Sequence, residues 1–184
     1  SMDLIQLYQY FSKFVPLAVL EKNHAGTFSP DRGAAAVQAE TLAIESKMRI
    51  SSIQEYLFLG DQSFVLERLR NSKDQLFFVD SDRIDYTPDA DGGVRLSIGL
   101  TIAEHYNSSN ASVVSELTTQ NRCLETLKTI LRTIISDREE QCPGCLNITQ
   151  PAEIRFFDAK ELNGRSPCSD DIFAALCKIH RLGG

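Results

Sequence analysis

No apolar stretch in this 184-residue sequence comes near the ~20 residues that a membrane-spanning helix needs. The opening Met2-Asp3-Leu4-Ile5-Gln6-Leu7 mixes an acid and amides into its apolar run, so it does not read as a secretory signal. Both absences predict a soluble chain kept in the cytoplasm, with no membrane partner. Ser1, ahead of Met2, reads as a residue left by tag removal, and the natural chain is expected to begin at Met2. Without secretion the sequons at Asn107, Asn110 and Asn147 meet no glycosylation chemistry and read as loop residues.

Histidine is scarce. His24, His105 and His180 are scattered, with no neighbouring Ser or Cys motif, so no nucleophile and base can be paired from the sequence. Gly92-Gly93 lies in a turn between strands rather than between a strand and a helix, which leaves no loop to cradle a phosphate. The adjacent acids Glu139-Glu140 and Asp170-Asp171 would point to different sides of a helix and read as solvated charge. The sequence therefore predicts no catalytic residues, no cofactor and no enzyme. Basic charge is also in deficit: 19 Lys and Arg against 25 Asp and Glu leave a formal net charge of −6, which repels phosphate backbones and argues against a nucleic-acid partner.

Five cysteines, an odd number in a reducing compartment, disfavour a disulfide framework. Cys142-Pro143-Gly144-Cys145 is the sharpest chemical feature, because two thiols at this spacing can chelate one metal or close a small redox ring. A tetrahedral zinc site would need Cys168 plus Cys177 or His180 to complete it, and no second CxxC supplies them. Redox chemistry wants the pair at a strand-to-helix junction, whereas this pair follows a helix and enters a loop. Reduced loop thiols are the plainer reading. A zinc-stabilised binding domain or small enzyme built on Cys142, Cys145, Cys168 and Cys177 is the rival. Asp80, Asp82, Asp85, Asp89 and Asp91 invite a calcium reading, but aligning Gly92 with the sixth loop position puts Ile98 where a bidentate Glu is required.

What is present is an ordinary globular composition, 42% apolar and 24% charged, in a length that suits one domain. The pattern predicts a single α+β domain over 2–184. Its N-terminal part, about 2–70, reads as helical, and about 71–184 as sheet plus helix. Leu4, Leu7, Tyr8, Phe11, Phe14 and Val15 recur at helical spacing up to Pro16. Ser29-Pro30-Asp31 looks like the start of a long helix whose buried stripe runs through Ala34, Val37, Thr41, Met48 and Ile53. Leu76-Phe77-Phe78-Val79 and Arg83-Ile84-Asp85-Tyr86-Thr87 read as successive strands in an antiparallel sheet. Pro88 to Gly93 supplies a turn, and Val94, Leu96, Ile98, Leu100 and Ile102 then fill every second position, completing a long β-hairpin.

The other side of that last strand carries Arg95, Ser97, Gly99, Thr101 and Ala103, which suits solvent or a flat contact with another surface. Arg95, Ser97, Gly99 and Thr101 are therefore the expected interaction face, and the edge of the hairpin Arg83 to His105 an expected site of self-association. Over Val113 to Asp137, Leu117, Leu124, Leu127, Leu131, Ile134 and Ile135 fall on one helical stripe. Glu153 to Phe157 reads as a strand, while 170–182 fits either a capped helix or a strand buried on both faces.

The succession of Gln75-Leu76-Phe77-Phe78-Val79-Asp80, the long strand Val94 to His105, an Asn/Ser loop and the helix through Asn121-Arg122-Cys123-Leu124-Glu125 and Ile134-Ile135-Ser136-Asp137 resembles phage and prophage neck or tail proteins of the tail-terminator and tail-completion type, over about residues 71–137. The resemblance implies an antiparallel sheet backed by the helix that follows its long strand. It also implies a non-catalytic structural role in virion assembly, with copies of the chain joined side by side into a ring and with neighbouring tail or neck proteins as partners.

Overall fold

The computed structural model describes residues 4–24, 32–59, 67–68, 72–86, 94–105, 113–139, 147–148, 153–158 and 172–183. Helices α1 (Leu4–Ser12), α2 (Leu17–His24) and α3 (Arg32–Leu42) come first. Strands β1 (Ile53–Phe58), β2 (Gln75–Tyr86) and β3 (Val94–His105), the long helix α4 (Val113–Glu139), and strands β4 (Asn147–Ile148), β5 (Glu153–Asp158) and β6 (Ile172–Gly183) follow. The fold is α+β.

The strands form one sheet in the order β1-β2-β3-β6-β4, with β5 also paired to β6. The sheet is mixed rather than antiparallel: β1 runs parallel to β2, and the other pairs are antiparallel. β2 and β3 match from Gln75↔Glu104 to Tyr86↔Val94, with the ladder shifted between Ser81 and Arg83. That irregularity sits where the apolar run of β2 gives way to its alternating half, so two apparent strands are one bent strand. The turn at 87–93 lies outside the described residues.

Leu7, Phe11 and Phe14 of the N-terminal segment, Tyr56 of β1, Phe77 and Val79 of β2, Ile98, Leu100 and Ile102 of β3, and Cys123, Leu127, Ile130, Leu131 and Ile134 of α4 form one core. α1 and α4 therefore cover the same sheet face. Leu57, Leu76, Phe78, Thr101 and Ala103 fall on the opposite face by strand alternation and are buried as well.

Two expectations change, and one open alternative is decided. The long helix after Pro30 stops at Leu42, leaving Met48 exposed and Ile53 to open β1, so the part expected to be helical contributes a strand. Residues 46–50 turn back to satisfy the carbonyls at the end of α1. Ser46 Oγ donates to Lys13 O at 2.8 Å, Arg49 Nη1 to Ser12 O and Val15 O at 3.2 and 2.6 Å, and the Ile50 amide to Phe14 O at 2.8 Å. A helix running through this segment would leave those carbonyls without donors. The C-terminal run is strand β6, flanked by β3 on one side and by β4 and β5 on the other, the interior position where a continuous apolar run belongs. Lastly, the buried stripe of α4 is Thr119, Cys123, Thr126, Leu127, Ile130, Leu131 and Ile134, whereas Leu117 and Ile135 are exposed.

Candidate functional site

The expected interaction face is not open where its side chains are described. Thr101 is 1% exposed and Ala103 is buried, and across the ladder Phe78 faces Thr101 while Leu76 faces Ala103. Small residues on β3 thus accommodate large ones on β2. Gly99 faces Asp80, whose carboxylate occupies the space a side chain at Gly99 would need, with Cγ 3.2 Å from the position of a Cβ. The run Leu76-Phe77-Phe78-Val79 was the signal for this: four consecutive apolar residues in a strand fill both faces. Arg95 and Ser97 stand in β3 opposite Asp85 and Arg83. Nor is β3 an edge available to another copy, since β2 and β6 flank it.

Cys142, Cys145 and Cys168 lie outside the described residues, and Cys177 takes its place in β6 opposite Leu100 and Ile154. Among the described residues no group of three or more His, Cys, Asp or Glu side chains converges as metal ligands would. Asp89 and Asp91 also lie outside the described residues, as do Glu140, Asp170 and the sequons Asn107 and Asn110, while Asn147 is in β4.

Among the described residues polar side chains converge at the junction of α1 with α4, where Tyr10 and Lys13 both donate to Asp137, and at two further places. At the junction of β3 with α4, Arg122 Nε donates to both oxygens of Glu104 at 3.1 and 3.2 Å, and its Nη2 lies 3.1 Å from Oε1. Glu104 is buried, and the Cys123 thiol lies 3.9 Å from its Oε2. Alongside, Gln75 Oε1 accepts from Ser52 at 2.9 Å and from Thr126 at 2.8 Å. Burial pushes the Cys123 thiol up to about 12, and the Glu104 carboxylate adds to the effect. A thiol held protonated in this way does not serve as a nucleophile at neutral pH. The cluster clamps α4 to the end of β3.

The third convergence is a cleft of about 350 Å³ beside β1, lined by Ala18, Val19, Lys22, Gln54, Glu55, Ser72 and Lys73. Glu55 is buried at its base. Lys22 Nζ donates to its Oε1 at 2.9 Å, and Arg68 Nη1 lies 3.5 Å from Oε2. Next to it, Asn23 Nδ2 donates to the Tyr56 carbonyl at 2.8 Å, and His24 Nε2 lies 3.0 Å from the Tyr8 hydroxyl. His24 closes α2. These contacts fasten α2 to β1 and α1.

Among the described residues the start of α4 exposes large apolar side chains, with Val113, Val114 and Leu117 72%, 69% and 58% exposed. No protein-family model, curated protein or solved structure matches this chain. Among the described residues no helix is long and apolar enough to cross a membrane.

Proposed function

We propose that this chain is a non-catalytic structural protein of a phage-like tail or neck, with neighbouring tail proteins and further copies of itself as partners. The observation that carries this reading is the seating of α4. Cys123, Leu127, Ile130 and Ile134 lie on the face of the β2–β3 pair formed by Phe77, Val79, Leu100 and Ile102, with α4 next in the chain after β3. In the reading proposed, β2 and β3 are the long hairpin and α4 the helix that backs it, as in tail-terminator and tail-completion proteins.

The chemistry of the described polar groups supports a structural role. The Glu104–Arg122 pair and the contacts of Lys22 and Arg68 with Glu55 join elements of the fold, and the Cys123 thiol is suppressed. Mass spectrometry of phage-like particles, isolated after induction of the source organism and purified by density gradient, tests the proposal. The chain is expected at a fixed ratio to the other tail components. Its expression during induction combined with its absence from intact particles would overturn the reading.

A further inference from the structure

α4 is apolar on two sides. At 100° per residue, the buried stripe through Thr119, Cys123, Thr126, Leu127, Ile130, Leu131 and Ile134 defines one face, and a second stripe of Val114, Leu117, Asn121 and Leu124 is centred about 140° around the helix from it. A helix that packs on one sheet and otherwise meets water carries polar groups on that far side. Here Val114 and Leu117 are largely exposed, Asn121 is exposed and Leu124 is half-buried.

The spacing of the outer stripe is that of a two-stranded coiled coil. Val114 and Asn121 are seven residues apart, as are Leu117 and Leu124, and the two sets alternate by three and four. Leucines occupy one set, and a β-branched residue and a single Asn the other, the combination that favours a parallel pair in fixed register. The flanking positions agree. In a parallel pair Val113 would face Thr118 of the second copy and Gln120 would face Glu125, with no like charges opposed. The seam has a natural end. Lys128 Nζ turns to Glu125 at 3.2 Å, and Leu131, the next leucine in the series, belongs to the chain's own core.

We propose that two copies of this chain associate through the first three turns of α4, in parallel, with Asn121 paired to its counterpart in the second copy. Arg122, held by Glu104, fixes the orientation in which each chain presents the seam. The seam spans only ~17 Å along the helix, so the contact is weak between isolated chains and is strengthened where many copies are held together. The inference rests on α4 alone and does not need the tail reading.

Light scattering and sedimentation over rising concentration test it on the full chain. Self-association is expected, weakened about tenfold or more by Leu117→Asp or Val114→Asp, both at exposed positions where the melting temperature stays close to that of the parent. Asn121→Ile is expected to strengthen association, because a buried Asn at such a position gives up stability for register. A monomer that Asn121→Ile also leaves monomeric would overturn the proposal. So would association untouched by Leu117→Asp. Rings that ignore both substitutions would remove the seam and leave the tail reading standing, whereas the chain's absence from particles would do the reverse.

Discussion

Asp80 and Gly99 face each other across the β2–β3 ladder so closely that the carboxylate takes the volume a side chain at position 99 would fill. Gly99→Ala is therefore expected to destabilise the fold by about 1–3 kcal/mol through overpacking. Asp80→Ala should recover part of that loss, the double variant costing about 1 kcal/mol less than the sum of the single changes. Urea melts of the three variants measure the coupling. Strict additivity would mean that Asp80 swings aside freely.

Thr101→Asp is expected to cost several kcal/mol, because it puts a carboxylate beside Phe78 on a covered face. Thr101→Val, which keeps the shape, should be far milder. Thermal melts distinguish the two, and an Asp variant as stable as the parent would restore the idea of an open face there.

The limits of the sequence are clearest at these positions. Alternation through Ile98, Leu100 and Ile102 identified the core side of β3 over these residues, because period two is a direct consequence of the pleat. It could not disclose that the small residues between them match large ones on a neighbouring strand, which is a property of register. In α4 the seven-residue spacing of Leu117, Leu124 and Leu131 suggested one stripe, yet only Leu131 reaches the core. β1 was missed because Ile53-Gln54-Glu55-Tyr56-Leu57-Phe58 lacks alternation, burying its Glu against Lys22 and Arg68. The Glu104–Arg122 clamp joins residues from different elements, and no local pattern announced it.

Arg49→Met is expected to lower stability by about 2 kcal/mol, since its guanidinium donates to Ser12 O, Val15 O and, at 2.7 Å, Ile44 O. Arg49→Lys should recover little of this. An ammonium keeps the charge but loses the planar fork that reaches all three carbonyls. Chemical denaturation compares the two, and full rescue by Lys would assign the effect to charge alone.

Burial pushes the His24 imidazole below its ordinary range, and Nδ1 has no hydrogen-bond partner among the described residues. The unfolded chain then binds a proton more readily than the folded one, so this residue's contribution to stability is intact above the unfolded value near 6.5 and is lost as pH falls below it. The stability difference between the parent and His24→Gln, followed by urea melts from pH 8 to about 5, should move against the parent as the pH drops. A difference independent of pH would show that His24 titrates alike in both states.

Cys123 should resist alkylation in the folded protein at neutral pH, because its thiol is buried and held up to about 12. Peptide mapping after iodoacetamide treatment, with and without urea, is expected to find it modified only when the chain is unfolded. Rapid labelling of the native protein would show that α4 lifts from β3.

Asn23 donates its side-chain amide to the carbonyl of Tyr56, in a strand that pairs with β2 and has α2 lying against it. An incoming strand needs the free carbonyls of an edge in regular succession, and a side chain fixed on one of them interrupts the template. A second chain offering a strand to that flank meets an interrupted row of acceptors, which disfavours indiscriminate strand exchange there.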